Sequence, residues 1–444
     1  MSSTRTSEVK AFILSQWDET IRSCTEDDGT LIGLPHPYTI PSRKGAFQEF
    51  YYWDTYFSTL GLIHSDRIEL AENNARNLLA QVQRYGYVPN GNRSYYLNRS
   101  QPPYLAAMVG LVDHHRGDHE LRSAAYPLLE QEYEFWTTRR SSTVGLAHYG
   151  NHATSNELQE FFQTVKHRLG RADERAEDQV STAYQAMAEC ESGWDFNSRF
   201  DHRCAEFCSI DLNTNLWLYE ILLSQWAPTE SDWAKWQLRA ELRQNLIKDY
   251  CWSPELGIFV DYDLRNQALS TVESAASFQP LWAGLASRDQ ASSVVRNLLP
   301  RLEHAYGISP TAPSEFSGRF QWDHPNAWAC LQHITYRGLE RYGYHDAARR
   351  IAEKYVECVT QTFEKTGDLW EKYNVLDGSH HATEEAGYLI NPDTLANNTA
   401  DTGIPSEPPA MMGWTAGVFL DALAFLEEGE PYWLSPVSST AFIA

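Results

Sequence analysis

The chain has 444 residues, 42% of them apolar and 21% charged, with a formal net charge of −23. That composition is globular, far from disordered or collagen-like classes, and the acidic balance argues against nucleic acid as a partner, because a polyphosphate requires a basic face. Seven scattered cysteines with no CxxC pair argue against a disulfide framework or a structural zinc site.

The first segment, "MSSTRTSEVKAFILSQWDETIR", lacks a continuous apolar run and reads as an amphipathic helix. No stretch of 18 apolar residues exists to cross a membrane, and a cytosolic location is the default expectation. Apolar residues at i, i+3 and i+4 predict helices beginning near residues 7, 66, 103, 119, 155, 210, 231, 273, 288, 325, 344 and 412. In "STVESAASFQPLWAGLAS", Ser270 and Glu273 have capping-box spacing ahead of an apolar face through Phe278, Leu281 and Leu285. Strand-like alternation is short, as in "GIFVDYDL". This many helices without parallel strands predict an all-α toroid. With no linker in the sequence, one domain over residues 1–444 is expected. The dipeptide WD recurs at 17, 53, 194 and 322, but the spacing is irregular and excludes a propeller.

Three connections, 31–57, 86–104 and 381–414, are long and aromatic, which favours function over disorder. The run "RLGRADERAEDQ" (168–179) reads as a solvated face without chemistry. Histidines gather only in "DHHRGDH" (113–119), where Gly117 should end the helix and leave a polar terminus, with no metal expected. Phosphate-loop, HExxH and GxSxG motifs are absent from the sequence.

Carboxylates among aromatics remain. Fifteen Trp, 24 Tyr and 18 Phe suit either sugar stacking or a heavy core. In "ECESGWDFNSRFDH" (189–202), Asp195 lies between Trp194 and Phe196, a setting that desolvates a carboxyl and raises its pKa as a catalytic acid requires. Taken alone, the stretch leans to a structural carboxylate, a helix cap or a partner of Arg199, which would lower the pKa instead. Four other segments present polar groups beside aromatics where a loop enters a helix. They carry Trp53 and Asp54; Asn90, Asn92, Arg99 and Gln101; Gln321, Trp322, Asp323 and Asn326; and Glu371 with Lys372. Together they point to glycoside hydrolysis, which needs two carboxyl groups on opposite faces of a sugar.

The stretches "GAFQEFYYWDTYFSTLGL", "VPNGNRSYYLNRSQPPY", "ESGWDFNSRF", "SGRFQWDHPNAWACLQ", "EKYNV" and "GWTAGVFLDAL", in that order, resemble the landmarks of the trehalase family of glycoside hydrolases. The resemblance implies an (α/α)6 barrel and inverting hydrolysis of an α-glucosidic bond without metal or organic cofactor. By position it makes Asp195 the general acid and places Trp53 and Asp54 in the buried sugar subsite. Asn92, Arg99, Gln101, Gln321, Trp322, Asp323 and Asn326 become sugar-site residues, and Tyr38, Phe47, Gln48, Trp194, Arg199, Glu371 and Trp414 complete the expected substrate-binding set.

Three departures stand out. "KGAFQE" puts Ala46 and Gln48 where the family has GGRFRE, replacing five-donor cations by a methyl and a neutral amide. The family's RPES is not recognisable, leaving Glu157 in "HYGNHATSNELQEF" as the stand-in acid. The base loop reads "GIPSEPPAMMGWTAGV", which makes Glu407 the expected base, with Glu384, Glu385 and Asp401 as rivals. A small α-glucoside is the expected partner: trehalose, or a compatible-solute glucoside such as glucosylglycerol or glucosylglycerate. The last would call on Arg43, Lys44 or Arg99 for its carboxylate. The alternatives are a sugar-binding protein on a hydrolase scaffold and phosphorolysis, which would need clustered cations.

Overall fold

Which helices lack a polar face decides the architecture. The computed structural model describes residues 3–380, 411–429 and 433–434. Its helices in chain order are α1 (Ser3–Gln16), α2 (Tyr52–Ile63), α3 (Ile68–Tyr85), α4 (Leu105–Arg116), α5 (Glu120–Arg139), α6 (Ser155–Val165), α7 (Ala176–Ser192), α8 (Ile210–Gln225), α9 (Glu230–Cys251), α10 (Gln279–Ala283), α11 (Arg288–Asn297), α12 (Leu299–Leu302), α13 (Ala329–Arg341), α14 (His345–Thr366) and α15 (Gly413–Glu428). In α2 every residue from Tyr52 to Leu62 is buried, and α4, α8, α10, α13 and α15 are buried almost as completely.

A helix apolar on all sides needs protein on all sides. These six supply it to one another in a closed ring: α2 on α4, α4 on α8, α8 on α10, α10 on α13, α13 on α15, and α15 back on α2. The closing seam is tight. A Cβ on Gly417 would lie 1.9 Å from the Phe57 carbonyl oxygen, and one on Gly61 would lie 2.7 Å from the Gly417 Cα, so only glycine permits the approach.

The partner helices are one-faced. In α3 the buried positions include Ala71, Asn74, Ala75, Leu78 and Val82, and α14 repeats the pattern through Ala348, Ile351, Ala352, Tyr355 and Val359. Such helices form the outer layer: α3 on α2 and α4, α5 on α4 and α8, α9 on α8, α14 on α13 and α15, with α1 against α14. Alternating outer and inner helices make an (α/α)6 barrel. The pair α6–α7 is inserted between α5 and α8. Strands are only two or three residues long. One antiparallel pair, Asn326–Trp328 with Lys372–Asn374, sets Trp328 opposite Lys372 and joins two of the sequence motifs. Among the described residues no helix is long and apolar enough to cross a membrane.

Three local expectations are corrected. Helix α2 begins inside the stretch taken as loop and runs six residues past its end, because a helix buried all round shows no 3.6-residue period. Helix α7 begins within the charge run and went unseen. The capping box at Ser270 does not form: Glu273 pairs with Arg301 at 2.5 Å, and a 3-10 turn (Ala275–Phe278) leads into α10. True capping boxes close at Thr154/Glu157 and Ser287/Gln290. Gly117 ends α4 as expected, at φ 74° with its N–H on the Asp113 carbonyl.

Candidate active site

Each motif precedes, or opens, an inner helix. Trp53 and Asp54 sit in the first turn of α2 and Trp414 in that of α15, while residues 90–104, 193–209 and 321–328 lead into α4, α8 and α13. The aromatic rings show that these segments converge. Trp322 stacks on Trp194 at 5.3 Å and on Trp328 at 3.8 Å, and Trp53 lies 5.7 Å from Trp322 and edge-on to Trp414 at 6.0 Å. A Cβ at Gly193, whose φ is +74°, would meet the Trp53 ring at 2.7 Å. Only glycine there lets the chain lay Trp194 and Asp195 against Trp53.

Asp195 keeps 30% of its side-chain surface open. It caps no helix, since α7 ends at Ser192 and α8 begins at Ile210. Its backbone carbonyl accepts from the Gln321 amide and from Arg168, and its carboxylate accepts from Arg168 Nη2 at 3.3 Å. Burial raises its pKa, with Arg168 and Arg99 pulling the other way.

The alternative of an Asp195–Arg199 pair is overturned. Arg199 is fully buried and grips Asp261 at 2.6 and 2.7 Å and Asp211 at 2.8 and 3.2 Å, its guanidinium 4.8 Å from the centre of the Trp194 ring. Placed in the substrate set from sequence, Arg199 is committed to a buried triad that braces Trp194.

Asp54 is 8% exposed, and burial, reinforced by Glu371 and Asp195 nearby, pushes its pKa up to about 7. A carboxyl whose folded pKa exceeds its unfolded value (about 3.9) contributes stability that is complete below that value and is lost as pH rises through about 7. Asp54→Asn is therefore expected to gain on the wild type by on the order of 1–3 kcal/mol between pH 5 and pH 8. Denaturant midpoints across that range measure the gain, and a flat difference would contradict it.

Glu371 accepts from Lys372 Nζ at 2.7 Å, and Lys372 also donates to Gln321 Oε1 at 3.1 Å. Trp414 Nε1 donates to the Glu371 carbonyl at 3.0 Å, and Gln101 Oε1 accepts from the Trp53 N–H at 3.2 Å. These residues surround Asp54 and the tryptophan floor.

Others of the expected set brace loops. Asn92 is completely buried, accepting from Phe50 N at 2.7 Å and donating to the Ile32 carbonyl and the Tyr38 hydroxyl. Asp323 accepts from Ser198 N and Oγ and from Thr311 Oγ1, tying the Asp195 loop to its own, and burial lifts its pKa to about 6. Asn326 donates to the Gln321 carbonyl at 2.7 Å. Phe47 packs edge-on to Tyr51. Gln48 accepts from Arg22 at 3.0 Å, so a cation still reaches the position where the resemblance expects an arginine. Glu157 is the capping-box acid of α6 and also accepts from Asn98.

Of the cations considered for a carboxylate, Arg43 pairs with Asp368 at 2.6 Å and Lys44 is exposed, whereas Arg99 is buried and its charge acts on Asp195. Arg168 was missed and corrects the reading of its segment. It heads the charge run taken as solvated, and nothing local marks it, because its contact with Asp195 forms across 27 residues of chain. Glu407, Glu384, Glu385 and Asp401 lie outside the described residues.

A family model for trehalase matches residues 7–427. The chain belongs to the trehalase family. A periplasmic trehalase of Pseudomonas aeruginosa is 35% identical over 373 residues, covering 78% of this chain and 66% of that protein. The chain thus spans just under two thirds of this curated relative. The neutral trehalase of Saccharomyces cerevisiae superposes with a TM-score of 0.72 at 26% identity, over 95% of this chain and 80% of the yeast chain. A GH63 mannosylglycerate hydrolase from Thermus thermophilus shares the fold, with a TM-score of 0.61 at 17% identity over 93% and 99% of the two chains.

The trehalase-family relative from P. aeruginosa is periplasmic, which overturns the cytosolic expectation. That expectation rested on the lack of an apolar run in the first segment, and neither such a start nor a net charge of −23 distinguishes one compartment from another.

Proposed function

We propose that the chain is an inverting hydrolase of a small α-glucoside, with Asp195 as general acid and Glu407 as general base. The observation that carries this is a carboxyl with a raised pKa, open on one side and held by its backbone at the edge of a tryptophan floor. In the proposed reaction a water oxygen bonds to the anomeric carbon as the bond to the leaving oxygen breaks. Asp195 transfers its proton to that oxygen, and Glu407 takes one from the water. The tryptophans offer flat faces to a sugar ring, and Asp54 and Gln101 offer hydrogen-bonding groups beside them.

The relatives named trehalase support trehalose as a substrate, and the neighbour named mannosylglycerate hydrolase supports a smaller leaving group such as glycerol or glycerate. The test is the anomer released. Proton NMR of fresh product from glucosylglycerol or glucosylglycerate is expected to show β-glucose first, mutarotating later to the mixture, and from trehalose equal β- and α-glucose, the α-anomer being the leaving half. Initial release of α-glucose alone, with no β-anomer, means retention and refutes the paired acid and base. Ligand binding without any release supports a sugar-binding protein instead.

A further inference from the structure

We propose that Arg168 and Arg99 form an anion-accepting leaving-group subsite beside Asp195, so that the α-glucoside cleaved best carries a carboxylate on its aglycone, next to the glycosidic oxygen. This deepens the hydrolase reading above and rests on it.

One guanidinium touches the acid, and a second lies against the aromatic cluster that the first also contacts. Arg168 touches the Asp195 carboxylate at 3.3 Å and lies 4.8 Å from the centre of the Phe196 ring. Arg99 lies over Tyr96 at 5.0 Å and Phe161 at 5.7 Å, and Phe161 and Phe196 belong to the same small apolar cluster. Cys190 feels the charges of Asp195, Arg99 and Arg168 together.

Among the described residues Arg99 has no acidic partner, and Arg168 has only Asp195. Arg99 is 93% buried, from its 7% exposure, yet its one hydrogen-bond partner among the described residues is the neutral Asn98 amide oxygen at 2.9 Å, and its Nε has none. The buried Nε of Arg168 likewise has none. A buried N–H without an acceptor is costly, and a charged one more so. The arrangement is also well anchored. Ser100 N donates to Glu191 Oε1 at 2.8 Å, and Glu191 is clamped by Arg140 at two 2.7 Å contacts, which fixes the backbone next to Arg99. A carboxylate is the acceptor that a guanidinium fork matches best.

The position of the acid sets the chemistry of the ligand. Asp195 must reach the glycosidic oxygen, and Arg168 is one contact from Asp195. The carboxylate it meets therefore sits one or two carbons from that oxygen, as in the α-glucoside of a short 2-hydroxy acid. A cation beside a general acid opposes protonation in the empty site. A bound carboxylate offsets the Arg168 charge and lets Asp195 hold its proton when it is needed.

The test compares 2-O-α-glucosylglycerate with 2-O-α-glucosylglycerol, which differ only by carboxylate against hydroxymethyl, with trehalose as the third substrate. The wild type is expected to show kcat/KM about 10–100-fold higher for the acid than for the neutral analogue. Arg168→Gln should lower that ratio at least about tenfold, with Arg168→Lys intermediate because it keeps the charge without the fork. With the acidic substrate the basic limb of kcat should lie at higher pH than that of kcat/KM, whereas with glucosylglycerol the two should coincide. A structural role for Arg168 would not separate them. Glucose release from trehalose and glucosylglycerol with a wild-type ratio at or below one overturns the anion subsite alone. So does an Arg168→Gln variant that slows all substrates equally. No release from any of the three overturns the hydrolase reading, and this subsite with it.

Discussion

Asp195→Asn is expected to lower kcat on an unactivated α-glucoside by about 10²–10⁴-fold, the usual contribution of a positioned general acid. The fold should not register the change. The amide is isosteric, the side chain is 30% open, and the carboxylate's contact with Arg168 is a long 3.3 Å, while the carbonyl contacts with Gln321 and Arg168 belong to the backbone and survive. Thermal midpoints should therefore not fall below the wild type, and any change should be a gain at higher pH, where the buried carboxyl must ionise and the amide need not. Leaving-group chemistry supplies a second arm. α-Glucosyl fluoride departs without protonation, so the variant should hydrolyse it at a rate much nearer the wild type than it does an alkyl glucoside. Loss of both activities together would mean that Asp195 positions the sugar and does not donate a proton. Near-normal turnover of the natural linkage would remove it from the chemistry altogether.

The proposed general acid stands out in sequence because its surroundings are local. Gly193, Trp194 and Phe196 are neighbours in the chain, and the glycine is required by the contact its missing Cβ would make with Trp53. The (α/α)6 barrel was legible for a similar reason, since one-faced outer helices such as α3 and α14 print their period in the sequence. Helix α2 was not, because Tyr52–Leu62 is buried on every side and its apolar run has no period to detect. Roles that depend on distant partners were the hardest to see. Arg199 stands four residues from Asp195 yet turns to Asp211 and Asp261, whereas Arg168, 27 residues away, closes on the acid. Asn92, Asn326 and Asp323 look like sugar ligands by residue type, but their polar atoms fasten the Phe50, Gln321 and Ser198 segments. Short-range pattern thus marks the candidate site, and tertiary charge pairing decides which side chains stand where within it.

That charge pairing predicts the largest effect on stability. Arg199→Leu removes a guanidinium shared by Asp211 and Asp261, with Asp261 only 3% exposed. Breaking a buried ion pair from one side leaves an uncompensated charge and costs about 3–5 kcal/mol. Asp211 and Asp261 raise the demand here because two carboxylates lose one partner. The guanidinium also supports Trp194 from 4.8 Å, so the tryptophan floor loses its brace along with the charge. The cost should depend on pH. Burial already raises the pKa of Asp261 against the pull of Arg199, and without that pull the carboxyl rises further above its unfolded value. Its proton then stabilises the folded variant at low pH, and this contribution disappears as pH climbs through the raised value. The deficit relative to wild type should accordingly be smaller at pH 5 than at pH 8, and Asp261→Asn added to Arg199→Leu should recover part of it at the higher pH. Urea midpoints of the four combinations measure the coupling. A deficit below about 1 kcal/mol, within the range of exposed pairs, would show that the triad is not what holds Trp194 beneath Asp195.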